Sequence, residues 1–242
     1  MPEETTPTPS AITRTFRYRL NRWWLYAVYY GLTRMEFVGI NDLPIAGPYI
    51  VAVNHLSTID TPLVYVALGK KRDSTGLVAD SHKKNPFFRW VVESVGGVWI
   101  TRGESDRAAL KSALAVLKGG RILGLAPEGT RSPVHALQPA KTGIAFLAKH
   151  ANVPVYPIAL WYTDRAFTEL KRFRRPFLRV VAGEPLRFDD PLLLDAPDRL
   201  QAFTDELMCR IAALLPPEYR GYYADFPRTL ELLANSPANI TQ

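Results

Sequence analysis

The 242 residues are 47% apolar and 22% charged, which excludes a disordered chain and leaves enough length for one α/β domain with a sizeable core. The formal net charge of +7 favours anionic partners: nucleic acid, an anionic membrane surface or phosphorylated substrates. The single cysteine, Cys209, excludes an internal disulfide and a cysteine-ligated zinc site, and its frame Leu207-Met208-Cys209-Arg210-Ile211 reads as the buried side of a helix.

Residues 1–11 are acidic and proline-rich, so they predict a disordered tail and no secretory signal. Residues 12–35 carry Arg14, Arg17, Arg19 and Arg22 ahead of Trp23, Trp24, Tyr26, Tyr29 and Tyr30. No apolar run in the chain reaches the roughly 18 residues of a membrane span. Trp and Tyr favour the headgroup region and Arg reaches phosphates, so 12–35 reads as an interfacial helical segment. The alternative is an aromatic helix packed on the core with its Arg face in water.

From Glu36 onward strands and helices alternate. Strands are predicted at 36–40, 49–53, 76–79, 97–101, 121–126, 153–160 and 177–182. Helices are predicted at 61–69, 86–95, 105–118, 141–150 and 197–214. This order predicts a single α/β domain over 36–217, with a central mixed, largely parallel sheet flanked by helices. Residues 218–242 read as a C-terminal extension that packs loosely before fraying.

The run Tyr49-Ile50-Val51-Ala52-Val53 is β-branched, follows Pro48 and leads into Asn54-His55-Leu56-Ser57-Thr58-Ile59-Asp60. A buried strand therefore opens into a polar loop before a helix, the place where sites form in α/β sheets. Histidine is the side chain suited to take a proton near neutral pH, and a carboxylate on its other ring nitrogen fixes tautomer and orientation. Positions five apart on a continuous helix point about 140° apart. His55 and Asp60 can meet only if the first lies in the loop and the second in the first helical turn. Ser57-Thr58-Ile59-Asp60 also fits a capping box with Ser57 as N-cap, which would make the same residues structural.

Three later loops have chemical content. The strand Gly97-Val98-Trp99-Ile100-Thr101 ends in Arg102-Gly103, a cation beside a residue that permits close ligand approach. The strand at 121–126 runs into Pro127-Glu128-Gly129-Thr130-Arg131-Ser132, which offers a hydroxyl acceptor, a tight turn and a second cation, and is not a P-loop. Val153-Pro154-Val155-Tyr156-Pro157 is a strand with two prolines, which predicts an edge position or a bulge. A basic run, Arg165, Lys171, Arg172, Arg174, Arg175 and Arg179, interleaves with Phe167, Phe173 and Phe177. No nucleic-acid motif accompanies it, so it reads as a contact for anionic headgroups or donor phosphates, or as a solvated face.

Taken together, the four stretches resemble the glycerolipid acyltransferase family, whose best-known members are 1-acyl-glycerol-3-phosphate acyltransferases. Asn54-His55 through Asp60 matches the family's His, four residues, Asp motif. Ile100-Thr101-Arg102-Gly103 is similar to its second motif, Pro127-Glu128-Gly129-Thr130-Arg131-Ser132 to its third, and Val153-Pro154 with Pro157 to its fourth. Lys141 and Gly143 fit the Lys-x-Gly often found between the last two. The resemblance covers residues 36–185. Ala126 departs from it, standing where many members carry Phe. The resemblance implies acyl transfer from acyl-CoA or acyl carrier protein to the hydroxyl of 1-acyl-sn-glycerol-3-phosphate, giving phosphatidic acid. In that reading His55 is the general base and Asp60 its orienting carboxylate, while Asn54, Arg102, Glu128, Gly129, Thr130, Arg131 and Lys141 bind substrate. It implies no cofactor, no metal and no nucleic acid, an anionic membrane surface as partner, and a peripheral place on the cytoplasmic face. Three rivals are another lysolipid acceptor, a hydrolase using Ser57 and a non-catalytic lipid-binding module. The hydrolase lacks a Gly-x-Ser-x-Gly elbow.

Overall fold

The structure is a computed structural model that describes residues 16–69, 72–79, 83–94, 97–100 and 106–235. The expected tail at 1–11 and the residues Thr101, Arg102 and Gly103 lie outside the described residues.

Seven strands form one sheet: β1 (Arg34–Val38), β2 (Ile50–Val53), β3 (Ser74–Ala79), β4 (Val98–Ile100), β5 (Ile122–Leu125), β6 (Val155–Trp161) and β7 (Phe177–Ala182), in the spatial order β1-β7-β6-β2-β5-β3-β4. Strands β6, β2, β5, β3 and β4 run parallel, β7 turns antiparallel to β6, and β1 follows β7. Every side chain of β2 is buried, as the uninterrupted apolar run requires of a strand covered on both faces. Its register sets Ile50 opposite Leu123 on one side and Val155 on the other. The ends of β2, β5 and β6 therefore come out together at one end of the sheet.

Helices cover the sheet: α1 (Phe16–Leu32), α2 (Asp60–Leu68), α3 (Pro86–Ser94), α4 (Asp106–Lys118), α5 (Gly143–Ala151), α6 (Ala166–Lys171), α7 (Arg199–Leu214) and α8 (Pro227–Ala234). Helix α2 is buried nearly all round, and Arg72 beyond it donates to the carbonyls of Pro44, Leu68, Ile40 and Leu43. The Leu68 bond satisfies a carbonyl at the end of the helix, and the other three tie that end to the 40–44 segment.

Helix α1 answers the question posed by its aromatics with two different sides. Leu25 and Tyr29 are buried in the core, while Leu20, Trp23, Trp24 and Tyr30 are exposed. Ala27 shares the exposed side, so the outward stripe follows helical spacing and is apolar throughout.

Two expectations need correction. The proline-bearing strand is central, not an edge: β6 lies between β7 and β2. It tolerates Pro157 because the partner chain bulges there. Val155 bridges Leu186 and Ile158 pairs with Ala182, so two residues of β6 face three of the other chain. Pro157 has no N–H to leave unpaired, and its carbonyl accepts from Gly183 N–H at 2.9 Å. Nor is the chain beyond 218 loosely attached as far as Asn235. Tyr219 and Tyr223 are buried, the Tyr219 carbonyl accepts from Leu137 N–H, and the Tyr223 hydroxyl accepts from Ala140 N–H.

Candidate active site

The chain leaves β2 at Val53 and does not enter α2 until Asp60, so His55 lies in a loop and Asp60 opens the helix. The two meet: His55 Nδ1 is 2.8 Å from Asp60 Oδ2. The same oxygen accepts the backbone N–H groups of Leu56 and Ser57, each at 2.6 Å. The capping and catalytic readings of this stretch thus share one atom. Asp60 reaches back over the loop as a capping acid does, although Ile59, not Ser57, is the N-cap. The Asp60 side chain is 1% exposed and that of His55 27%, so the carboxylate is sealed and the imidazole opens outward. Tyr29 of α1 braces the next turn, its hydroxyl donating to the Ile59 carbonyl at 2.7 Å. Burial first, and then the Asp60 charge, hold the Tyr29 phenol well above its ordinary pKa, so it stays a donor.

The turn after β5 fastens to the same loop. Glu128 is buried, and its Oε1 accepts from His55 N–H at 3.0 Å while Oε2 accepts from Gln138 N–H at 2.9 Å. Ser132 N–H returns a bond to the His55 carbonyl at 2.8 Å. Burial raises the Glu128 pKa, and the two backbone N–H groups, from Gln138 and His55, oppose that rise. With both oxygens engaged and only 4% of it exposed, Glu128 holds the His55 loop rather than standing open to a ligand. Asn54 is likewise corrected. It is fully buried, its amide nitrogen donating to the Leu160 carbonyl and its oxygen accepting from Leu160 N–H, both at 2.8 Å. It locks the end of β2 to β6.

Gly129, Thr130, Arg131 and Lys141 form the exposed rim. Gly129 takes φ +72°, and the Lys141 methylenes lie 3.3 Å from where a Cβ would stand. Lys141 N–H donates to the Pro127 carbonyl at 2.9 Å, which places its amine beside the Gly129 turn. Among the described residues neither Arg131 nor Lys141 has an ion-pair partner. Strand β4, which leads to Arg102, ends three strands from β2, roughly 14 Å across the sheet. Gln138, Tyr29 and Tyr223 belong to the support of the site. Nothing in their local sequence announced it, since Tyr29 and Tyr223 meet backbone groups of distant segments and Gln138 serves Glu128 through its backbone N–H.

Chemically, the carboxylate that faces Nδ1 fixes the imidazole's orientation and turns its other ring nitrogen outward, where it can take a proton from a hydroxyl. Arg131 on the neighbouring turn and Lys141 beside it, without ion-pair partners among the described residues, are placed to receive an anion.

The acyltransferase family model matches residues 34–161. The chain is 32% identical over 155 residues to a lyso-ornithine lipid O-acyltransferase of Pseudomonas aeruginosa, covering 64% of this chain and 58% of that protein. It is 31% identical to an N-acylphosphatidylethanolamine synthase of Arabidopsis thaliana, covering 64% and 62%. It is 26% identical to a 1-acyl-sn-glycerol-3-phosphate acyltransferase of Bacillus subtilis, covering 72% and 84%. The chain therefore spans about three fifths of the length of the first two relatives. The crystal structure of the 1-acyl-sn-glycerophosphate acyltransferase PlsC from Thermotoga maritima has the same fold, with a TM-score of 0.58 at 22% identity over 84% of this chain and 81% of that one.

Proposed function

The chain belongs to the acyltransferase family, and from that membership we propose that it moves a fatty acyl group from an acyl thioester to the free hydroxyl of 1-acyl-sn-glycerol-3-phosphate, giving phosphatidic acid. The observation that carries the chemistry is the 2.8 Å contact between His55 and a buried Asp60, with the imidazole open at the strand ends. The outward ring nitrogen takes the hydroxyl proton as the oxygen attacks the thioester carbonyl. The C–O bond forms, the C–S bond breaks, and the thiolate recovers the proton from the imidazolium. A thiolate leaves readily, so no acyl-enzyme is needed, and Ser57 serves as a backbone donor to Asp60. Arg131 and Lys141 receive the acceptor's phosphate, and the resemblance of Ile100-Thr101-Arg102-Gly103 to the family's second motif assigns Arg102 to the same phosphate. The donor is acyl-CoA or acyl carrier protein. The acceptor is bilayer-borne, the outward aromatic stripe of α1 lies on the anionic surface, and the enzyme works from the cytoplasmic face.

A second reading takes a lyso-ornithine lipid as acceptor, supported by the Pseudomonas relative of that name. A donor-by-acceptor panel decides, following thiol release and lipid product together. His55→Ala should lower transfer by about 10²–10⁴-fold on every acceptor, with circular dichroism unchanged. Arg131→Ala should lower kcat/KM roughly 10- to 150-fold on a phosphate-bearing acceptor and hardly at all on one without phosphate. Equal loss on both acceptors would move Arg131 to the fold or the donor, and near-normal turnover by His55→Ala would end the mechanism.

A further inference from the structure

Helix α6 closes with a turn that ordinarily takes glycine. Phe173 N–H donates to the Leu170 carbonyl and Arg174 N–H to the Glu169 carbonyl, both at 3.0 Å, which is a Schellman motif with Phe173 at its left-handed position. Its φ is +56°, a conformation that costs free energy for any residue with a side chain. Packing gives nothing back, because Phe173 is 100% exposed. A strained backbone that holds a phenyl ring wholly in solvent needs a reason outside the fold.

The surroundings supply one. Arg34, Lys171, Arg172, Arg174 and Arg175 crowd the turn against a single acid, Glu169. Arg34, Arg174 and Arg175 line a shallow open depression with Glu169. Among the described residues the Arg34 and Arg174 guanidinium groups make no ion pair. The turn also has a fixed place in the molecule. Strand β6 ends at Trp161, and β7 returns from Phe177 with Trp161 opposite Arg179, so residues 162–176 lie at the same end of the sheet as His55. Strand β7 is two strands from β2, about 10 Å. Arg175 stitches the turn to the last turn of α1, donating to the carbonyls of Tyr30 at 2.8 Å and Thr33 at 2.7 Å.

We infer that this turn is a second bilayer contact. Phe173 enters the acyl layer of an anionic membrane while Arg34 and Arg174 take lipid phosphates. A ring surrounded by cations fits a surface with phosphates above hydrocarbon, where one side chain type cannot serve both layers. With the outward side of α1 as the first contact, the second fixes the molecule's tilt and turns the His55 end toward the lipid. The inference deepens the acyl-transfer reading by naming how the site meets its acceptor. Its binding tests do not depend on any turnover.

The test uses the full chain and vesicles of phosphatidylcholine with or without phosphatidylglycerol. Phe173→Gly should lower partition onto anionic vesicles roughly 10- to 100-fold. Glycine fits the left-handed position, so Tm should stay level or rise, and misfolding cannot explain the loss. Arg174→Ala should cost about 5-fold on anionic vesicles and nothing on neutral ones. Cys209 is buried, so Phe173→Cys can be labelled selectively with a polarity-sensitive dye. The dye should shift to the blue on anionic vesicles and be quenched by nitroxide lipids. Wild-type partition by Phe173→Gly, or a dye that stays in water on vesicle-bound protein, overturns the inference. So does a dye response to soluble acyl-CoA or to an RNA oligonucleotide without vesicles, which would assign the patch to the donor or to nucleic acid. If binding behaves as expected and no acyl transfer is found, the docking surface stands and the catalytic reading falls.

Discussion

At His55 the side chain and the backbone are held by different carboxylates. Asp60 takes the ring, and Glu128 takes the main-chain N–H. Glu128→Gln tests the second role. The carboxamide has one acceptor oxygen for two N–H donors, so its NH2 must face the N–H of His55 or of Gln138. Losing that bond and opposing two donors should cost about 1–3 kcal/mol of stability. A loosened His55 loop should cost roughly 10- to 100-fold in kcat, assayed well below Tm where the fold is intact. A kcat equal to wild type in a folded Glu128→Gln protein would mean that the 128–132 turn does not position the proposed base, His55. The contrast between the two carboxylates also explains what the sequence disclosed. Asp60 is five residues from His55 across a change from strand to helix, and local pattern exposes such a pair. The partners of Glu128 are 73 and 10 residues away, and those of Asn54 are 106 away. All are backbone groups, which carry no sequence signature, so both residues read as ligand-facing when they are struts.

Among the elements, the strands and longer helices followed from alternating apolar runs, with ends within a few residues of those found. Helix α6 did not, because its six residues lie in a basic run. Helix α8 did not, because proline and aromatics around it resemble a turn. Yet α8 secures the segment that brackets Gln138. Glu206 on α7 is the bolt: it accepts from Arg210 at 2.7 Å and from Arg228 of α8 at 2.8 and 3.1 Å. Burial pushes the Glu206 pKa up, but the bonds from Arg228 and Arg210 outweigh it and leave the carboxyl below its ordinary range. A carboxyl depressed in the folded state adds stability that is present above the unfolded pKa, near 4.3, and is lost as pH falls through the lower folded value. Glu206→Gln should therefore have a lower Tm at pH 7, and the gap from wild type should close as pH drops below the ordinary glutamate range. Glu128 works in the opposite sense, since its raised pKa favours the fold at lower pH. Both proteins keep it, so it cancels in the difference. A gap that holds constant down to pH 3 would show that the Glu206 contacts contribute nothing through charge.

For the whole molecule the question is how a chain with a net charge of +7 and no membrane-spanning helix among its described residues would reach the lipid acceptor proposed for it. Sequence alone posed α1 as either interfacial or packed on the core; one side of the helix is packed on the core, and the outward apolar side is the one the interfacial reading concerns. Leu25 and Tyr29 are in the core, and Trp23 and Tyr30 are outside it. Deleting the segment would confuse these roles, so point substitutions are needed. Leu25→Ala removes buried methyl groups and should cost about 2–5 kcal/mol of stability, with vesicle partition of the folded protein unchanged. The double substitution Trp23→Ser with Tyr30→Ser touches only exposed positions and should move stability by no more than about 0.5 kcal/mol per site. It should cut partition onto anionic vesicles roughly 10- to 100-fold, and turnover on bilayer-borne acceptor should fall in proportion while turnover on a micelle-free, short-chain acceptor holds. Raising salt should weaken wild-type binding through the Arg contacts and leave the aromatic contribution in place. If the double variant floats with vesicles as wild type does, the outward stripe of α1 is not a lipid contact, and the Phe173 turn would have to hold the enzyme on the membrane alone.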